Sequence, residues 1–139
     1  MIETATLVAQ LDRFFDALEA GDRGEVRGVF VEIADPDCVF DSAVGSIIEG
    51  RIFRGTEEIL GWTEELVEGF EVRYSERRYE RIAPEILTMT YDFSLTSRST
   101  GLPLEYPASL LCRLRDGMIV STTTFRSHEG AREAASSDA

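Results

Sequence analysis

The sequence predicts an α+β domain in which N-terminal helices pack on one face of a curved, mostly antiparallel sheet. Two observations indicate this class. Apolar residues recur at helical spacing as far as Gly69, and from Phe70 onward the apolar period changes to two. Turn signals divide the second half, and Asp116-Gly117 is the two-residue type that favours a hairpin. At 139 residues the chain is long enough for one domain, expected over residues 1–130 with a disordered tail at 131–139.

Three helices are predicted in the first half. The first extends from an N-cap at Thr4 to a stop at Gly21, and its apolar stripe is Leu7, Leu11, Phe14, Phe15 and Leu18. The second is shorter and ends before Pro36, because the residue that precedes a proline avoids helical geometry. The third has a cap at Thr56, ends at Gly69 and has a stripe of Ile59, Trp62 and Leu66.

Four long antiparallel strands are predicted after a short strand at Val39–Phe40, over about residues 70–82, 85–98, 103–115 and 118–128. In the second of these, alternation places five residues toward the helices, namely Leu87, Met89, Tyr91, Phe93 and Leu95. The matching row of the third is Tyr106, Ala108, Leu110, Cys112 and Leu114. In the last strand Thr122 and Thr124 are expected beside this row, whereas Ile119 and Phe125 are expected on the opposite face.

Composition excludes several classes of protein. The formal net charge of −12 disfavours nucleic acid, because phosphate binding needs a basic surface. Polar residues interrupt the apolar positions of residues 2–18, so neither a signal peptide nor a membrane span is expected, and the cytoplasm is the predicted compartment. The two cysteines, Cys38 and Cys112, lack metal-ligand spacing and are expected to be buried free thiols, with no metal or cofactor.

Asp41 is the candidate catalytic residue. It ends the strand that follows Pro36, and an acid at a strand end can face a cavity instead of bulk water. Burial there would raise the pKa of its carboxyl group and make it a usable base near neutral pH. The alternative is that Asp41 only forms hydrogen bonds with its own turn.

The chain resembles the NTF2-like superfamily, the fold of ketosteroid isomerases, SnoaL-type polyketide cyclases, limonene epoxide hydrolases and scytalone dehydratases. The resemblance covers about residues 4–128. It rests on the helix end Ala17–Asp22, the stretch Ala34–Ser42, the segment Gly50–Ile59 and the four strands with Asp116-Gly117 before the last. It implies a cone-shaped (cystatin-like) fold around an apolar pocket, and the SnoaL-like or ketosteroid isomerase-like domain is the expected type.

By this resemblance Asp41 matches the general base of the steroid isomerases. Their two oxyanion donors are missing, because Phe14 stands at the helix position and Leu110 at the strand position. Loss of such donors removes what is usually the largest catalytic contribution. The Asp-Arg-Asp arrangement of the epoxide hydrolases has no match either, since Thr90 and Thr124 fall near two of its positions.

Several other side chains are candidates for ligand binding. Tyr91 and Tyr106 would donate phenolic protons, and Arg126 would bind an anionic group at the cavity mouth; core packing and a surface ion pair are the respective alternatives. His128 is the single histidine and is expected at an exposed strand end. The remaining candidates are aromatic wall residues and threonines of the last strand, namely Phe14, Phe15, Phe53, Trp62, Phe93, Thr122 and Thr124.

Two functions follow from these candidates. The first is a cofactor-independent isomerase, cyclase or dehydratase that uses Asp41 as base on a small apolar molecule. The second is a non-catalytic ligand-binding or assembly module of the same fold. A homodimer through the outer sheet face is expected in either case, because this face is largely uncharged and has Leu111 and Phe125 at its apolar centre.

Overall fold

Four helices and six strands are formed by the residues that the computed structural model describes, which are 3–42 and 52–137. The helices are α1 (Thr4–Ala20), α2 (Arg23–Ile33), α3 (Gly55–Gly69) and α4 (His128–Ser137). The strands are β1 (Ala34–Asp41), β2 (Ile52–Arg54), β3 (Phe70–Ala83), β4 (Ile86–Ser97), β5 (Pro103–Arg115) and β6 (Met118–Phe125). The predicted α+β class and the four long strands are confirmed.

A single six-stranded sheet has the order β2-β1-β6-β5-β4-β3. All neighbours are antiparallel except β1 and β6, which run parallel. The β5–β6 turn has positive φ at Asp116 and Gly117, as the predicted hairpin requires. We call the face that packs against α1, α2 and α3 the inner face and the opposite face the outer face.

Strand alternation correctly identifies the inner face of β4. Leu87, Met89, Tyr91, Phe93 and Leu95 are all buried in the main core, whereas Asp92 is exposed. In β5 the predicted row from Ala108 to Leu114 is buried in the same core, and Tyr106 packs against it. The period-two argument therefore holds where the strands are regular.

Strand β6 departs from simple alternation. Thr122 pairs with Cys112 and Thr124 with Leu110, as expected, but an irregularity after Arg113 lets Ile119 pair with Leu114. Ile119 is consequently buried in the main core, not on the outer face with Phe125. An extra residue in one strand reverses the facing of every residue beyond it, and the sequence pattern does not show this.

The predicted helix starts were wrong by one or two residues. Glu3 and Arg54 hold the N-cap positions of α1 and α3, and neither caps with its side chain, so Thr4 and Thr56 lie inside their helices. Gly21 does end α1, with a left-handed φ of 70°. None of the described helices is both long and apolar enough to cross a bilayer.

Helix α4 occupies the place where a strand end and then a disordered tail are predicted. It begins at His128 and packs Ala131 and Ala135 against Leu111 on the outer face, with Phe125 beside them. The imidazole Nε2 of His128 lies 3.1 Å from Glu80 Oε1, and Arg132 pairs with the same carboxylate. The predicted apolar centre of the dimer face is thus covered by the chain's own C-terminal helix, and the dimer itself stays a prediction.

Candidate binding cavity

An apolar cavity lies between the three N-terminal helices and the inner face of the sheet. The cavity has a volume of about 110 Å³, enough for more than one water molecule. Its helical wall consists mainly of large apolar residues, namely Leu11, Phe14, Phe15, Leu18, Phe30, Ile33, Ile59 and Trp62. Its sheet wall includes Phe40, Phe93, Ala108, Leu110 and Ile119.

The polar groups of the cavity are neutral hydroxyls and thiols. They belong to Ser42, Thr63, Tyr74, Tyr91, Tyr106, Thr122, Thr124, Cys38 and Cys112. No aspartate, glutamate, arginine or histidine occurs among the described lining residues. Since an isolated charge is costly to transfer from water into such surroundings, this composition favours a neutral ligand.

Three tyrosines of the sheet converge on the cavity. Tyr74 of β3 pairs with Phe93 of β4, and Phe93 pairs with Tyr106 of β5, so these three form one row across the inner face. Tyr91 lies two residues along β4, with its ring centroid 5.4 Å from that of Tyr74. The ring of Phe93 lies between those of Tyr74 and Tyr106, with centroid distances of 5.0 Å and 5.6 Å respectively.

The phenols of Tyr74 and Tyr91 remain protonated over a wide pH range. Burial, followed by the nearby Tyr91 and Tyr106, raises the pKa of Tyr74 well above its ordinary value. Burial, followed by Tyr106 and Cys112, raises the pKa of Tyr91. Such groups donate hydrogen bonds and do not act as bases at neutral pH.

The two thiols are similarly protonated. Burial raises the pKa of Cys38 to about 11 and that of Cys112 to about 12. The thiolate is the nucleophilic form, so both groups are unreactive near neutral pH. The described residues contain no group of three or more potential metal ligands.

Arg77 fixes the strand that carries Tyr74. The β3–β4 register shifts between Ser75 and Arg78, and the Arg77 guanidinium meets Asp12, Asp16 and Glu19 of α1 at 3.1, 2.9 and 3.2 Å. Its Nε donates to the carbonyl of Tyr74 at 2.8 Å, and the amide of Tyr74 donates to Glu19 at 2.7 Å. Both backbone groups of Tyr74 are therefore held by this cluster of charges.

Asp41 does not line the cavity. The lining residues at the end of β1 are Cys38, Phe40 and Ser42, which alternate with Asp41 along the chain. Asp41 pairs with Thr123, whose partner Leu111 lies under α4 on the outer face. The lining residue at this strand end is therefore Ser42, which is 2% exposed, and the catalytic role of Asp41 stays a prediction.

Most of the other candidates do line the cavity, namely Phe14, Phe15, Trp62, Tyr91, Phe93, Tyr106, Thr122 and Thr124. Phe53 packs behind this wall, 5.9 Å from Phe40 and 5.7 Å from Trp62. Arg126 is exposed, and His128 begins α4 on the outer side of the sheet, so neither is among the lining residues. For the candidates that do line the cavity, a role in ligand binding stays a prediction.

Sequence reasoning missed Tyr74 and Ser42. Tyr74 shares the buried alternation of β3 with Val72, a signal that was available. Ser42 was not predicted as a lining residue because the neighbouring Asp41 was the candidate at this strand end.

Comparison with known proteins agrees with this fold. The family model for the SnoaL-like domain matches residues 11–122, and the chain therefore belongs to this family. A search of curated proteins gives no match.

Solved structures with the same fold are distant in sequence. An NTF2-like protein from Burkholderia xenovorans is 16% identical with a TM-score of 0.72, over 96% of this chain and 98% of that one. A protein with a ketosteroid isomerase-like fold from Catenulispora acidiphila, in complex with trimethylamine, is 17% identical with a TM-score of 0.68, over 86% and 85%. A "putative polyketide cyclase" from Xanthomonas campestris is 12% identical with a TM-score of 0.68, over 88% and 91%. At these identities the likeness establishes the fold alone.

Proposed function

We propose that this protein binds a small, neutral, mainly apolar molecule in the cavity beneath α1 and α3. The observation that supports the proposal is the lining itself, which is aromatic and aliphatic with only uncharged polar groups among its described residues. A pre-formed apolar cavity with a few convergent polar groups is the usual form of a small-molecule site. Burial of a ligand's apolar surface there would supply most of the binding free energy.

Catalysis with Asp41 as base has less support. Structural neighbours include proteins named as polyketide cyclases, and the same fold would allow an isomerase, cyclase or dehydratase. Proton abstraction, however, needs the base within hydrogen-bond reach of the substrate, and Asp41 shares a face with Thr123 on the outer side of the sheet. The ligand-binding alternative requires no base.

The proposal is tested with the neutral fluorescent probe N-phenyl-1-naphthylamine. Its emission should rise on binding to the wild-type protein. Ala108→Leu should lower the affinity at least tenfold, because Ala108 is buried in the cavity wall and the larger side chain occupies ligand space. Ala20→Leu is the matched control, since Ala20 is exposed at the end of α1.

Absence of probe binding by the wild-type protein would refute the proposal. Equal affinity of the Ala108→Leu variant and the wild type would place the binding site elsewhere and would refute it as well. Circular dichroism of each variant confirms that the fold is intact.

A further inference from the structure

We propose that the ligand reaches the cavity through the junction of α1, α2 and α3, and that the first two turns of α2, residues 23–28, form a gate that unwinds to admit it. This inference rests on the proposed ligand-binding function and adds the route by which the cavity is filled. In this arrangement α2 controls the rates of binding, whereas the cavity lining sets the affinity.

A narrow groove between these three helices borders the cavity. It has a volume of about 10 Å³, room for a single water molecule at most, and all three helices contribute to its walls. Leu18 of α1 and Thr63 of α3 line both the groove and the cavity, and each is 3% exposed. These two side chains therefore form part of the partition between the two spaces, and widening of the groove beside them would connect the cavity with solvent.

The first two turns of α2 have few apolar contacts. Within residues 23–28 only Val26 is buried, whereas Val29, Phe30 and Ile33 anchor the second half of the helix in the main core. Val26 also lines the groove. Segments with few buried apolar contacts are the ones that open locally while the rest of the fold stays intact. Unwinding of these turns displaces Val26 and widens the groove.

Glycine lowers the intrinsic stability of the same turns. Gly28 is exposed, and a Cβ added there would meet no other segment of the chain within 4 Å. Close packing therefore does not require a glycine at this position. A glycine in a helix interior favours the unwound state by a factor of about five relative to alanine. Gly28 thus makes the gate easier to open.

Ion pairs on the surface hold the gate closed only weakly. Arg23 pairs with Glu68 of α3 at 2.6 Å, and the two terminal nitrogens of Arg27 each donate to Glu57 of α3 at 3.0 Å. All four side chains are between 49% and 78% exposed. Exposed pairs of this kind contribute little to stability, because water competes for both partners. They orient the closed helix on α3 and break readily when it opens.

A gate has a kinetic signature that distinguishes it from a wall of the binding site. If the ligand passes only when α2 is unwound, the association and dissociation rate constants are both multiplied by the same open fraction. A change in the stability of the gate then alters both constants in proportion and leaves Kd unchanged. A change in the cavity lining alters Kd, mainly through dissociation.

Stopped-flow fluorescence with N-phenyl-1-naphthylamine measures both rate constants on the full chain. Gly28→Ala stabilises the closed gate, so both constants should fall about threefold to fivefold, with Kd within twofold of the wild type. Arg27→Gln removes the ion pair with Glu57 and should raise both constants about twofold. Gly61→Ala is the matched control, because Gly61 is an interior glycine of α3 with the same open space for a Cβ. Its rate constants should equal those of the wild type.

Hydrogen exchange followed by mass spectrometry tests the opening itself without a ligand. The amides of residues 23–28 should exchange faster than those of residues 8–17 in α1. Gly28→Ala should slow the exchange in α2 by a factor similar to its effect on the binding rates. Equal protection of the two helices in the wild type would overturn the gate.

Unchanged rate constants in Gly28→Ala, with an intact fold by circular dichroism, would overturn the gate and leave the proposed ligand-binding function in place. A change in dissociation alone, with a proportional change in Kd, would also overturn it, because α2 would then act as part of the lining. Absence of probe binding by the wild type would overturn the entry route and the proposed function together.

Discussion

Replacement of Arg77 by methionine should destabilise the fold much more than a comparable change at an exposed ion pair. The Arg77 side chain is only 13% exposed and meets three carboxylates of α1 within 3.2 Å. Methionine keeps the apolar part of the side chain near Phe15 but leaves those carboxylates without their cation. It also removes the donor to the Tyr74 carbonyl.

The expected loss follows from the exposure of each partner. Asp12 and Asp16 are 43% and 69% exposed, so water compensates for much of what they lose, whereas Glu19 is 25% exposed and remains partly desolvated. We therefore expect a loss of about 2 kcal/mol in the free energy of unfolding, below the ~3–5 kcal/mol of a fully buried pair. For a domain of this size the melting temperature should fall by roughly 8 °C.

Urea unfolding followed by Trp62 fluorescence measures this loss. Arg23→Met is the matched control, because Arg23 pairs with Glu68 at 2.6 Å but the two side chains are 52% and 61% exposed. An exposed pair contributes about 0.5 kcal/mol or less. Equal losses in the two variants would refute the view that the partly buried cluster around Arg77 stabilises β3.

Three other predictions address the thiols, the C-terminal helix and Asp41. The pKa values of Cys38 and Cys112 are about 11 and 12 in the fold against 9 in the unfolded chain, so the free energy of unfolding should be unaffected below pH 9 and should fall above it, by up to roughly 1.4 kcal/mol per pH unit for each thiol. The urea midpoint of the wild type should therefore decline between pH 8 and pH 11, and that of the Cys112→Ala variant should decline less steeply. Removal of residues 128–139 uncovers Leu111, so the free energy of unfolding of the truncated chain should fall by about 2 kcal/mol and its self-association, measured by sedimentation, should increase. An unchanged sedimentation coefficient would count against a self-associating outer face. Asp41→Asn should leave probe affinity within twofold of the wild type, because Asp41 is not among the lining residues. A tenfold change in affinity would indicate that Asp41 contributes to the binding site.

The regular parts of the sheet were predictable from sequence because the physical signal is local. Burial of one face imposes a period of two on β4, and each residue from Leu87 to Leu95 lies on the face that this period indicates. The hairpin at Asp116-Gly117 is likewise set by residues that tolerate positive φ. Neither inference depends on distant parts of the chain.

The departures from the predicted pattern have separate physical causes. The facing of Ile119 follows from an irregularity between β5 and β6, and the sequence does not show which strand contains the extra residue. The side on which Asp41 lies follows from parallel pairing of β1 with β6, a contact between residues about eighty positions apart. Helix α4 was missed because its buried stripe consists of Ala131 and Ala135, which resemble the small residues of a flexible tail.

A crystal structure of the protein with N-phenyl-1-naphthylamine tests the central claim, binding of a neutral apolar molecule in the cavity, most directly. The account predicts that the ring system lies in the cavity between Phe14, Trp62 and Leu110. A cavity that stays without ligand at saturating concentration, or a ligand bound only on the surface beside α4, would contradict it.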